Sequence, residues 1–122
     1  KSIKKIFHTN CIHTSSRFYK NFKIGVGNIV MPNAVFMLKS SIKDSNIFFS
    51  GSIVSHHCKI NSYNNIYNNA VILGSTQIDN EVLIGSNSTI NSKKKINSQC
   101  IIGANIFQKT SLKKGTVVIE KK

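Results

Sequence analysis

Ile60-Asn61-Ser62-Tyr63-Asn64-Asn65-Ile66-Tyr67-Asn68-Asn69-Ala70-Val71-Ile72-Leu73-Gly74-Ser75-Thr76-Gln77-Ile78 sets one isoleucine every six residues. An amphipathic helix repeats its apolar positions every three or four residues, and a half-buried strand every two, so neither accounts for this spacing. The register runs outward from the quoted stretch in both directions. Backward it takes in Val54, Phe48, Ile42, Phe36, Val30, Ile24, Phe18, Ile12 and Ile6, and forward Ile84, Ile90, Ile96 and Ile102. Seventeen consecutive positions are large and apolar, and twelve of them are Ile. Composition alone yields such a run with a probability on the order of 10⁻⁶, so the period is a structural repeat.

A second column supports it. Four residues after the large ones come mostly small side chains, including Asn28, Ala34, Ser40, Ser52, Cys58, Ala70, Thr76, Ser88 and Cys100. Directly after the large ones stand Gly25, Gly85 and Gly103, with Asn or Asp at 61, 79, 91 and 97. These types tolerate positive φ, so that position is expected to form the corners. Each hexad then reads as a short strand plus a corner, and three hexads close one triangular coil of eighteen residues. The predicted fold is all-β, a left-handed parallel β-helix, with Ile24, Ile42, Ile60 and Ile78 stacked in one inner column. The β-helix is expected over 6–107, with 1–5 a linker or cap. The phase fails at Gln108 and resumes at Leu112 and Val118, so 108–122 is expected to be a C-terminal cap or tail. No insertion interrupts the hexads, which leaves no long loop to act as a lid. Flat outer faces favour self-association, and a homotrimer is the expected assembly.

The chain is one domain by length, and no apolar run approaches the ~18 residues of a membrane-spanning helix, so no membrane insertion is expected. Three cysteines, without metal-ligand spacing, read as free thiols of a reducing, cytoplasmic protein. Seventeen basic residues against four acidic ones give a net charge of +13. All the basic residues but Arg17 are Lys, and apart from Lys93-Lys94-Lys95 they are scattered. Base-edge recognition favours Arg, so specific nucleic-acid binding is not expected. A surface that attracts small anions is.

Of four His, the informative pair lies in Val54-Ser55-His56-His57-Cys58. Val54 faces inward, so His56 projects near a corner, where an imidazole is suited to general-base work. The runs Ile53 to Ile60, Ala70-Val71-Ile72-Leu73-Gly74, Val82-Leu83-Ile84-Gly85-Ser86-Asn87 and Cys100-Ile101-Ile102-Gly103-Ala104 resemble the sialic-acid and bacillosamine-type sugar acetyltransferases. These are hexapeptide-repeat acyltransferases of bacterial surface-glycan pathways. The resemblance implies an acetyl-CoA-dependent acetyltransferase acting on an amino or hydroxyl group of a sugar, either a nucleotide sugar or a sialic acid. It implies His56 as the base. It also implies that CoA lies in a groove between subunits, lined by Gly74, Gly85, Ser86, Gly103 and Ala104, with Lys93 to Lys95 near its phosphates. No metal is implied.

Three departures qualify it. His57 stands where the family usually has an acidic residue, and Asn65 where some members have a second His. Both are candidate modulators, and slow transfer is expected from the missing acid. The family's N-terminal sugar-nucleotide domain of βαβ type is also missing, and Lys1 to Phe7 reads as the end of its linker. The alternative is a degenerate β-helix serving as a scaffold or oligomerisation module. A zinc carbonic anhydrase on this fold needs three spaced His, and an ice-binding helix needs ranks of outward Thr; the chain has neither.

Overall fold

The computed structural model describes residues 9–120; Ile6, His8 and the linker expected over 1–5 lie outside the described residues. Eighteen strands of two residues each, and no helix among the described residues, wind into a parallel β-solenoid of about six turns. Its strands form three sheets, called here faces A, B and C, of seven, six and five strands. Face A runs from Cys11–Ile12 to Val117–Val118, face B from Arg17–Phe18 to Phe107–Gln108, and face C from Lys23–Ile24 to Lys95–Ile96. The architecture is consistent with the left-handed β-helix expected from the hexads.

A two-residue strand has no stability of its own. Up to Gln108 each is held by the strand eighteen residues away, as in Val71↔Ile53 and Ile72↔Ile90, through backbone bonds such as Ile53 N–H to Ala70 O and Ser55 N–H to Ile72 O, both 2.9 Å. The large residues of the register point inward. Phe36, Phe48 and every Ile of the register from Ile60 to Ile102 are fully buried, each worth roughly 1.5–3 kcal/mol over its exposed state. Ile suits these columns because its χ1 is already restricted. At the first described coil the columns lose cover: Ile12 is 39% exposed and Phe18 37%, although Phe18 still stacks on Phe36 with ring centroids 5.0 Å apart.

The small column has a polar purpose. Thr76 Oγ1 donates to Asn91 O at 2.9 Å and Ser88 Oγ to Gly103 O at 2.6 Å, each tying a corner to the next coil. On the corner between faces C and A the donors are Asn10, Asn28, Asn46 and Asn64, a ladder in which each residue is eighteen from the next. Asn46 Oδ1 accepts the Asn64 N–H at 3.0 Å, and Asn64 Oδ1 the Val82 N–H at 2.8 Å. Asn64 Nδ2 donates to Asp79 O at 2.8 Å. Only Ser52 Oγ is buried without a partner among the described residues.

The expected corner position is corrected by the backbone. Positive φ falls three residues after the inward side chain, not one, and does so in every hexad from Asn21 to Asn105. The residue directly after the strand is not the left-handed one. Gly85 occupies that place for a different reason, close packing: a Cβ there would lie 2.5 Å from Ala104 N in the coil above. At the C-terminal end the hexad continues through Gln108, which is buried in strand Phe107–Gln108 and pairs with Ile90. The following coil is two residues short, so Ile102 pairs with Val118 and Ile96 bridges Leu112.

Removing one rung of the ladder tests this account. Asn64→Ala leaves the Val82 N–H and the Asp79 carbonyl without their partners, at roughly 1–3 kcal/mol each. Urea unfolding of Asn64→Ala is expected to lose about 2–4 kcal/mol, against under ~0.5 kcal/mol for exposed Asn68→Ala. Equal losses would show that the ladder contributes nothing.

Candidate active site

The chain leaves face B at strand Ile53–Val54, turns through Ser55 to Cys58 and enters face C at Lys59–Ile60. With Val54 fully buried, His56 and His57 are carried outward, and both are exposed. His57 is the left-handed corner residue, at φ 56°. That turn brings its ring edge-on to His56, interplanar angle 83°, with the two Nδ1 atoms 3.0 Å apart. A contact of this length is a hydrogen bond only when one Nδ1 carries a proton and the other a lone pair. When His56 is the donor, its Nε2 lone pair is free.

Gly74 lies eighteen residues further on, one coil up the same edge. A Cβ at Gly74 would stand 2.5 Å from His56 Nε2, so glycine is what lets the imidazole lean over that coil. The Gly74 carbonyl accepts the Lys93 N–H at 3.0 Å, while its own N–H has no partner among the described residues. Cys58, beside the pair, is buried, its Sγ donating to Leu73 O at 3.1 Å. Burial pushes its thiol up to about 11, which removes it as a nucleophile near neutral pH. Lys93 and Lys94 sit on this edge two coils above His56, and Lys95 begins strand Lys95–Ile96 of face C.

The other residues singled out from the sequence lie elsewhere on the protomer. Gly85, Ser86, Gly103 and Ala104 follow strands Leu83–Ile84 and Ile101–Ile102, on the edge between faces A and B. On that same edge Phe49 and Tyr67 stack with ring centroids 4.5 Å apart, so an aromatic ledge gives way to a glycine floor. Asn65 is on face A, half-buried between Ile47 and Leu83. One chain therefore does not bring His56 together with Gly85 and Gly103. The two groups occupy the two edges that bound face B.

Among the described residues no carboxylate stands beside the histidines. Asp44, Asp79 and Glu81 are on the edge between faces C and A, where the Ser98 and Asn61 side chains and then the Lys95 charge hold the Asp79 carboxyl below its ordinary value. Among the described residues no cluster of three or more His, Cys, Asp or Glu could hold a metal ion. No helix among them is long and apolar enough to cross a membrane. Two features escaped the sequence reading: the His56–His57 contact, and the role of Gly74 as the space His56 occupies. The second was signalled by the spacing of eighteen between them.

No protein-family model matches the chain, and no curated protein sequence does. Solved structures do. The chain is 26% identical to the acetyltransferase domain of PglB from Neisseria gonorrhoeae, with a TM-score of 0.85, covering 88% of this chain and 53% of that one. The same domain has been solved in complex with acetyl coenzyme A, and matches with a TM-score of 0.86. PerB from Caulobacter crescentus, solved with CoA and GDP-perosamine, shares the fold at a TM-score of 0.80 and 19% identity, over 92% of this chain and 52% of that one. In repeat and fold the chain is similar to these acetyltransferase structures, and it spans about half the length of each.

Proposed function

We propose that the chain is the catalytic part of an acetyl-CoA-dependent sugar acetyltransferase, with His56 as general base. The observation that carries this reading is the His56–Gly74 arrangement: an exposed imidazole over a glycine whose N–H is unengaged. His56 Nε2 takes the proton from an acceptor amine or hydroxyl as it attacks the thioester carbonyl of acetyl-CoA. The tetrahedral oxyanion is then stabilised by the Gly74 N–H. Collapse of that intermediate expels the CoA thiolate, which takes the proton back from His56. His57 positions the base. Its Nδ1 lone pair accepts the His56 Nδ1–H, selecting the tautomer with a free Nε2 and holding the imidazolium once it forms. It supplies the acceptor role of the family's acid without the negative charge.

The donor site is completed by a second copy. A threefold axis in front of face B carries the His56 edge of one protomer against the Gly85–Gly103 edge of the next, placing base and glycine floor on either side of one groove. The outer column of face B supports this, since Val35, Ile53, Val71 and Thr89 are all half-buried. Face A carries a similar apolar row in Ile29, Ile47, Leu83 and Ile101, whereas face C presents Lys23, Ser41, Lys59, Gln77 and Lys95. Use of acetyl-CoA, together with free Cys11, Cys58 and Cys100, fits a cytoplasmic location.

His56→Ala should lower kcat by about 10²- to 10⁴-fold while CoA affinity stays near wild type. Gly74→Ala should lose activity comparably with an unchanged melting curve, because it displaces a ring rather than backbone; full activity in both variants would refute the proposed base. His57→Phe should cost about tenfold in kcat, a tenth or less of the general-base effect. His57→Asn, which keeps an acceptor and tolerates the left-handed corner, should restore most of that loss. ¹⁵N chemical shifts of His56 should report the Nδ1–H tautomer in wild type and its loss in His57→Phe; an unchanged tautomer would remove His57 from the mechanism. Val71→Lys on face B should reduce the light-scattering mass from trimer to monomer and abolish transfer, whereas Gln77→Lys on face C leaves both intact. A monomeric wild type that still transfers acetyl groups would overturn the shared groove.

A further inference from the structure

On the edge between faces A and B, residues eighteen apart read Met31, Phe49, Tyr67, Gly85 and Gly103. Side chains fill this row as far as Tyr67 and then stop. Phe49 and Tyr67 are half-buried and stack with ring centroids 4.5 Å apart and planes 5° from parallel. The next two coils of the row are glycines, and at Gly85 a side chain is excluded by the backbone of Gly103 and Ala104. The edge is therefore bare backbone over two coils and ends below on a pair of locked rings. Turning Tyr67 aside forfeits its stacking on Phe49, so the lower end is a firm wall.

We infer that the Tyr67–Phe49 stack of one protomer limits the length of the acyl group transferred at His56 of its neighbour, admitting acetyl and excluding longer chains. The inference rests on the transferase reading and the shared groove proposed above. A threefold axis parallel to the solenoid keeps every residue at the same height in each copy. Tyr67 follows His56 by eleven residues, which places it about 3 Å higher at ~4.8 Å per coil of eighteen. Gly74 is one full coil above His56, so Tyr67 faces the level between base and oxyanion donor. Gly85, about 8 Å above His56 on the same scale, lies higher in the groove. The direction of the acyl chain then follows from the four bonds of the tetrahedral carbon. Its sulfur lies upward, along the glycines proposed for the CoA arm. Its oxyanion points at the Gly74 N–H, and the attacking nitrogen or oxygen sits at His56 Nε2. The remaining bond, to the acyl chain, crosses the groove toward Tyr67. A methyl group ends against the ring, whereas each further methylene has to displace it.

Isothermal titration of the assembled protein with CoA, acetyl-CoA and butyryl-CoA tests this without an acceptor. Wild type should bind butyryl-CoA at least about tenfold more weakly than acetyl-CoA, the low end of what one methylene costs in a closed apolar pocket. Tyr67→Ala should bring the two within about threefold of each other, with CoA itself bound as in wild type. Phe49→Ala, which removes the support, should relax the ratio part of the way. Tyr67→Phe, which keeps the ring, should preserve it. A wild type that binds both thioesters alike, or a ratio unmoved by Tyr67→Ala, overturns the inference. So does an equal weakening of all three ligands in Tyr67→Ala, which would assign the ring to the CoA arm or to the fold. His56→Ala should keep the wild-type ratio, so a failed assignment of the base and a failed assignment of the wall give different results. A wild type that binds no CoA fails at the transferase reading and takes this inference with it.

Discussion

Every feature of this molecule depends on the backbone bonds that join each coil to the next at a fixed offset of eighteen residues. Two-residue strands contribute nothing alone, and a slip of one residue turns the whole inward set toward solvent. The register is therefore held three times over: by strand pairing, by the inner columns of Ile and Phe, and by side chains four places later that bond across coils. The last of these is what makes the corners rigid. A buried Thr, Ser or Asn there satisfies carbonyls and amides that a tight turn would otherwise leave without partners. Only at the C-terminal end is the offset relaxed, by two residues, and there the pairing thins to Val117–Val118 and a single bridge at Leu112.

Such a scaffold displays chemistry in rows. Any outward side chain has its nearest neighbours eighteen residues before and after it, so local environment is set by stacking rather than by loops. The row holding His56 passes from Leu38 through His56 to Gly74. An imidazole placed there leans over the one neighbour that has no side chain. The row holding His57 has Lys39 directly below it and Ser75 directly above it. The proposed base, its positioning group and the free amide thus arise from two adjacent rows on one edge, held by the same bonds that hold the fold. Such preorganisation is what the proposed general-base chemistry needs.

Much of this was legible in the sequence because period six leaves a mark at every coil. The inward register, the three columns and the outward placement of His56 all follow from counting. The corner residue did not, although its mark was present: Asn21, Asn33, Asn69, Asn87 and Asn105 share one phase with Gly27 and Gly51. The glycines one place after the strand drew the reading toward the wrong phase, because close packing and positive φ favour the same residue type. The division of the expected site between two edges was also readable, since Gly74 and Gly85 follow strands of different faces. What pattern does not encode is the direction of a side chain on a corner. The 3.0 Å contact between two imidazoles depends on χ angles of exposed residues, and no spacing announces it.

The replacement of an acid by His57 then acquires a physical reading. A carboxylate beside a general base does two things: it orients the ring, and it offsets the positive charge that appears when the base takes its proton. In the proposed mechanism the His57 lone pair performs the first and not the second. In a chain of net charge +13, with Lys39 stacked beneath His57 and Lys59 two residues beyond it, an imidazolium at His56 has little negative charge nearby to balance it.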